Sequence, residues 1–240
     1  MALAIATNNA ALNAAASASS VNRDMETSMA RLSSGKRINS ASDDAAGVAI
    51  SSRLSAEIRG TDQAIRNSLD GQALIDTAEG AHKEIENILQ RMREVTIQAA
   101  NDTNNAQDRA NLQAEIEAMT TEIDRIAGTT TWAGADLMED TTTTFSFQVG
   151  AATGTQNQIA VTIKTMNATG LAVGTGSVST IDVETSGATA NAGTALIDAA
   201  IEDVNIQRSE LGAVSNRLNH TVNNLTNISS NLSAAKGGIE

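Results

Sequence analysis

Residues 197–232 read IDAAIEDVNIQRSELGAVSNRLNHTVNNLTNISSNL, with Ile197, Val204, Leu211, Leu218, Leu225 and Leu232 each seven positions apart. Ile201, Val214, Val222 and Ile228 fill flanking positions. An apolar residue every three or four positions, sustained over this length, is the seam of a long helix that packs lengthwise on other helices. The same step recurs upstream. Ile85, Ile88, Met92, Val95 and Ala99 carry it within residues 44–101, after Ile50, Leu54, Ile58, Ile65 and Leu69; Leu112, Ile116, Met119, Ile123 and Ile126 carry it within residues 108–127. A short loop between two such helices, over residues 101–108, predicts an antiparallel hairpin. At about 1.5 Å per residue the first helix would be roughly 85 Å long, against about 45 Å for a compact globule of this chain length. The expected fold is therefore mainly α, an elongated antiparallel helical bundle or coiled-coil rod.

The N-terminal residues 4–32 are rich in Ala and Ser, with larger apolar side chains only at Ile5, Leu12, Val21, Met25, Met29 and Leu32. The later spacings fit a helix. Such a helix gains little alone and is stabilised by packing against partners. A turn-like stretch over residues 33–42 follows, and then Asp43 and Asp44 stand where carboxylates cap a helix start. Gly47, Gly60, Gly71 and Gly80 fall inside the long helix, each costing about 1 kcal/mol relative to Ala. Close approach of another helix, or a bend, would offset that cost.

At Gly128 the composition turns rich in Thr and Gly, with alternating runs at Phe145–Val149 and Ile159–Ile163. These are strand signals. The stretch is too short for a large domain and is expected to form a small β-hairpin cap on one end of the rod. The resulting division is a helix and linker at 1–42, the first part of a helical shaft at 43–128, a β and loop insert at 129–193, and a returning shaft helix at 194–240.

Composition excludes several functions. The 240 residues carry 16 basic and 28 acidic side chains, a formal charge of −12, and no basic run that could bind a polyanion. Nucleic acid is therefore not an expected partner. The chain has no Cys and no Pro, so thiolate chemistry is absent and long uninterrupted elements are favoured. The first twenty residues lack charge but are too rich in Ala and Asn for a signal peptide or a membrane span, so neither a cleaved signal nor membrane insertion is expected. His82 and His220 show no paired metal spacing. Gly35-Lys36-Arg37 lacks the upstream Gly and the Ser or Thr of a phosphate loop. Glycosylation sequons such as those at Asn167, Asn219 and Asn227 are too short a pattern to carry weight, and the last two lie on a predicted helix. No catalytic, cofactor or metal site assembles, and the chain reads as a non-enzyme.

One stretch is more specific. Residues 32–47, LSSGKRINSASDDAAG, resemble the signature of bacterial flagellin. Residues 90–94 (QRMRE), 98–101 (QAAN), 211–214 (LGAV), 216–218 (NRL) and 223–225 (NNL) add to the resemblance, which covers about residues 1–150 and 194–236. It implies a structural subunit that self-assembles into a flagellar filament for motility, with a core of terminal helices, Ile5, Leu12, Met25, Met29 and Leu32 among its contacts. It also implies delivery to the extracellular flagellum by the flagellar type III export apparatus. A Toll-like innate immune receptor is an implied partner, with Arg91, Val95 and Glu115 as contacts carried over by motif position. Members usually continue into a further Ala-rich C-terminal helix, so this chain resembles a short form. Two other readings are a hook–filament junction protein and a protein serving chiefly as a receptor ligand.

Overall fold

The predicted helices form, and side chains outside the apolar seams set where they begin. The computed structural model describes residues 8–139, 142–171 and 176–240. Its helices are α1 (Asn9–Ser34), α2 (Ala45–Ala99), α3 (Ala106–Thr129) and α4 (Gly187–Ile239). Helix α3 starts two residues before the apolar pattern suggests because Asn105 and Asp108 cap each other: Asn105 Oδ1 accepts from the Asp108 N–H at 2.9 Å and Asp108 Oδ2 from the Asn105 N–H at 3.2 Å. That reciprocal pair satisfies two otherwise free donors. Helix α4 starts seven residues before the expected 194, where Ser186 Oγ accepts from the Thr189 N–H at 3.2 Å and Thr189 Oγ1 from the Ser186 N–H at 3.0 Å. Gly187 and Gly193, inside this first part of α4, are positions of close approach. A Cβ on Gly187 would stand 2.8 Å from the Ala100 carbonyl oxygen, and one on Gly193 would stand 2.9 Å from Ile181 Cγ2.

The chain divides into two compact units, residues 1–60 with 227–240, and residues 61–226. In the larger unit, cross-helix contacts fix the direction of packing. Arg91 meets Glu115 and Arg109 Nε donates to the Ala99 carbonyl, so α3 runs back along α2. Arg208 meets Glu86, Arg93 meets Asp198, and Thr194 meets Thr96, so numbers on α4 fall as those on α2 rise. The core holds Leu74, Ile85, Leu89, Met92 and Val95 of α2, Ile116 and Ile123 of α3, and Ile197, Val204, Leu211 and Leu218 of α4, all at most 1% exposed. Burying each large aliphatic side chain stabilises the fold by about 2 kcal/mol. With only three aromatic residues in the chain, this aliphatic seam supplies most of the core.

Strands β1 (Thr131–Trp132) and β2 (Ala135–Asp136) form a tight antiparallel hairpin, and β3 (Thr143–Gln148) pairs antiparallel with β4 (Gln158–Ile163), Thr143 opposite Ile163. The β1–β2 turn places Ala133 at φ 50° and Gly134 at φ 84°, the two left-handed residues that a two-residue hairpin turn requires. Trp132 is half-buried and packs on the core of this unit. Ile159, Val161 and Ile163 alternate inward along β4 and join the same core as the helices.

The insert is not the end cap that its length suggests. It lies along the helices. Near one end of its path Asn67 Nδ2 donates to the Gln148 carbonyl at 2.9 Å and Phe147 touches Gly71. Farther along, Gln207 Nε2 donates to the Thr162 carbonyl at 2.9 Å and Asp124 Oδ1 accepts from the Ala168 N–H at 2.8 Å. Gln113 then grips the backbone twice, donating to the Ile181 carbonyl at 3.2 Å and accepting from the Val183 N–H at 3.0 Å. From the level of Asn67 on α2 to that of Thr96, this path covers about 45 Å at 1.5 Å per residue. Backbone groups outside regular ladders need partners when buried, and polar side chains from three helices supply them.

In the smaller unit, the turn over residues 35–44 is held by its own carboxylates. Asp44 Oδ1 accepts from the Gly47 N–H at 2.9 Å and caps α2. Asp43 does not cap the helix. Its Oδ2 accepts from the backbone N–H groups of Ser40 at 2.9 Å and Asn39 at 3.0 Å, and these bonds hold its carboxyl below the usual range. Ile38, 8% exposed, seats against Gly47, where a Cβ would lie 2.5 Å from Ile38 Cδ1. Lys36 of this turn pairs with Glu240 at 2.8 Å, and Ser51 also donates to Glu240.

Of the four helix glycines, close approach accounts for two. Gly47 faces the turn and Gly71 faces α4 and β3, while Gly80 has open space around it.

Candidate assembly and recognition surfaces

Helix α1 has well-formed ends and no core. Asn8 Oδ1 accepts from the Ala11 N–H at 3.2 Å at its start, and Gly35, at φ 69°, closes it through a 2.9 Å bond to the Arg31 carbonyl. The left-handed conformation there is one that Gly adopts without strain. Between these caps none of its residues is buried. Leu12 is 60% exposed, Val21 64%, Met25 54%, Met29 63% and Leu32 86%. Ile5, the remaining apolar residue expected to take part, lies outside the described residues.

At about 100° per residue, Val21, Met25, Met29 and Leu32 fall within an arc of about 80°, and Leu12 lies on the opposite side. The exposed apolar side chains of α1 thus form two faces. Val21 belongs to the larger one, and its position four residues before Met25 was the signal for it.

The second surface crosses α2 and α3. Arg91 forks its guanidinium between helices, with Nη2 2.9 Å and Nε 3.2 Å from Glu115 Oε1, and Nη1 2.9 Å from Glu94 Oε2. The bonds to Glu115 and then to Glu94 push the Arg91 pKa further up. Arg91 and Glu115 are about half exposed. Val95, expected beside them, is 1% exposed and belongs to the core. One turn of helix separates it from Arg91, but the seam that continues through Met92 and Ala99 turns its side chain inward. The structure therefore brings Arg91 and Glu115 together at the surface and places Val95 in the interior.

The remaining candidates resolve into structural roles. His82 is fully buried, with no hydrogen-bond partner at either ring nitrogen. Burial, reinforced by the positive charge of Arg208, lowers its pKa to about 4, so it is neutral at physiological pH. Arg208 itself bridges Glu86 and Glu79 of α2. Lys36, in the stretch that superficially resembles a phosphate loop, is paired with a carboxylate. Among the described residues no group of three or more His, Asp or Glu is placed to hold a metal, and no helix is long and apolar enough to cross a membrane. Asn167, in one of the sequons, has its amide engaged: Nδ2 donates to the Glu139 carbonyl and Oδ1 accepts from the Gly170 N–H.

Long antiparallel helices, together with a helix whose large apolar side chains stay exposed, are the architecture of a structural subunit. Comparison with known proteins narrows the class. Residues 5–143 match the family described as bacterial flagellin N-terminal helical region, and residues 194–240 match the bacterial flagellin C-terminal helical region. A flagellin of Halalkalibacterium halodurans is 44% identical over 214 residues, covering 89% of this chain and 76% of the relative. A flagellin of Bacillus subtilis is 42% identical over 260 residues, covering 97% and 85%. The crystal structure of Bacillus cereus flagellin superimposes with a TM-score of 0.55 at 32% identity, covering 71% of this chain and 94% of that one. The chain belongs to the bacterial flagellin family. Its role is that of a structural subunit of the flagellar filament. Neither terminal family region spans residues 144–193, which hold most of the insert.

Proposed function

We propose that this subunit enters the filament through α1, with Val21, Met25, Met29 and Leu32 packing on one neighbour and Leu12 on another. The observation that carries this reading is a helix that buries none of its described residues in its own chain, its large apolar side chains included. Covering those side chains with neighbouring subunits couples the free-energy gain to growth, so ordering of α1 and addition of a subunit are one event. Ile5 belongs to the proposal by its spacing of seven from Leu12. In this scheme residues 1–42 serve the filament core, residues 43–128 and 194–240 form the shaft, and residues 129–193 are the variable part. Family membership supports delivery to the cell exterior by the flagellar export apparatus.

The test is electron microscopy of the chain and of a variant carrying Leu12→Gln, Met25→Gln, Met29→Gln and Leu32→Gln. The parent should build long filaments and the variant none, with the larger unit still folded. Filaments from the variant would overturn the assignment, and short adaptors at the hook from the parent would point to a junction role instead.

The exposed Arg91–Glu115 pair supports a second part of the proposal, contact with a Toll-like innate immune receptor, with Val95 shaping that surface from beneath. Arg91→Ala should abolish receptor signalling while the helical spectrum stays unchanged. Full signalling by that variant would remove the pair from the contact.

A further inference from the structure

We propose that Met25 and Met29 form an oxidation-sensitive site on the assembly face of α1, at which a peroxide converts the free subunit into one that cannot add to a filament. The inference rests on the assembly role of α1 proposed above. The chain has seven methionines. Met92 and Met138 are fully buried and Met166 is 1% exposed, while Met25 and Met29 are 54% and 63% exposed. Met119 is half-buried against the core. Among the described residues, solvent access thus separates two thioethers from the rest. These two are one helical turn apart on the same side of α1, between Val21 and Leu32.

The chemistry is a two-electron oxygen transfer. A lone pair on the thioether sulfur attacks one oxygen of hydrogen peroxide, the O–O bond breaks, an S–O bond forms, and the departing hydroxide takes the proton from the oxygen now on sulfur and leaves as water. Sulfur is oxidised and the peroxide is reduced. The product is a polar, chiral sulfoxide where a flexible apolar side chain stood. Buried against a neighbour's apolar surface, its oxygen loses the hydrogen bonds that water supplies to the free subunit. Oxidation therefore favours the unassembled state. The same packing that excludes a sulfoxide shields an unmodified thioether once the subunit is in place, so the free subunit is the vulnerable form.

The full chain is treated with graded hydrogen peroxide, quenched, and divided between peptide mass spectrometry and addition to sheared filaments of the same subunit. A Met25→Leu, Met29→Leu variant is treated in parallel, since this exchange conserves volume and apolar character. Met25 and Met29 should gain oxygen at least tenfold faster than Met92, Met138 and Met166. The treated parent should add to filaments at least tenfold less, and treatment with a methionine sulfoxide reductase and dithiothreitol should restore it. Whatever its rate of addition before treatment, the Leu variant should lose less than about twofold of it to peroxide. Equal oxidation rates at all five sites, undiminished addition by the oxidised parent, or equal loss in the Leu variant would each overturn the proposal alone. An untreated parent that never adds would overturn the assembly reading, and this inference with it.

Discussion

Gly71 of α2 lies against Leu218 of α4 so closely that a Cβ on Gly71 would stand 3.3 Å from Leu218 Cδ1, and 3.3 Å from the Phe147 ring on its other flank. Gly80, nine residues along the same helix, faces open space. Both glycines forgo about 1 kcal/mol of helix propensity relative to Ala, but only Gly71 gains packing in return. Gly80→Ala should therefore stabilise the chain by roughly 0.5–1 kcal/mol, whereas Gly71→Ala should gain less than that or destabilise. Urea unfolding of the two variants decides the matter, and an equal gain from both would refute the close-approach account.

His82 makes stability depend on pH. Its folded pKa of about 4 lies below the ordinary 6.5, because burial and the nearby Arg208 disfavour the imidazolium. Between those two values the unfolded chain takes up a proton that the folded chain refuses. The contribution of neutral His82 is thus fully present above pH 6.5, is lost as pH falls, and levels off below about pH 4. A shift of that size corresponds to roughly 3 kcal/mol at the acid limit. Carboxylates that titrate in the same window affect parent and variant alike, so the difference isolates the imidazole. His82→Leu should flatten the pH dependence between 7 and 4.5, measured by urea midpoints, and identical slopes would clear His82 of the effect.

Gln113 substitutes for a neighbouring strand. Its amide answers both the Ile181 carbonyl and the Val183 N–H, and both residues are buried, at 5% and 0% exposed. Gln113→Ala leaves two backbone groups short of partners, at a cost of about 1–3 kcal/mol for the more buried of them. Amide exchange should accelerate at Val183 more than in the β3–β4 ladder, and uniform acceleration across the unit would count against a local clamp.

The turn between β1 and β2 carries a removable strain. Ala133 sits at φ 50° beside Gly134 at φ 84°, a conformation that costs a non-glycine residue roughly 1 kcal/mol and that Asn tolerates better. Ala133 is exposed, so nothing packs on its methyl group. Ala133→Asn should raise the melting temperature by a few degrees, and a lowered one would mean the turn is set by something other than its backbone.

The long helices were legible because one physical requirement, a continuous apolar seam, repeats in the letters. Ile197, Val204, Leu211 and Leu218 are spaced by seven and are all buried. The starts of α3 and α4 were less legible, since Asn105 with Asp108 and Ser186 with Thr189 are short polar pairs that look like loop until their bonds are seen. The path of the insert was hidden for another reason. Gln113, Asp124 and Gln207 lie 44 or more residues from the backbone groups they bind, and nothing in their spacing announces those bonds. At the surfaces, the bond between Arg91 and Glu115 joins two helices and has no local sequence signal, whereas Val95 shares the seam with Met92 and so faces inward. The split of the α1 side chains into two faces was already present in the distance from Leu12 to Val21, nine residues or two and a half turns.

Trp132 is the only indole in a chain that has no tyrosine, and it packs on the core of residues 61–226. Its emission reports the melting of that body. Far-ultraviolet ellipticity sums over every helix. Recorded together on one sample, the two signals separate a coil-to-helix change at the N-terminus, seen by ellipticity alone, from loss of the body, seen by both, without any label attached to the protein.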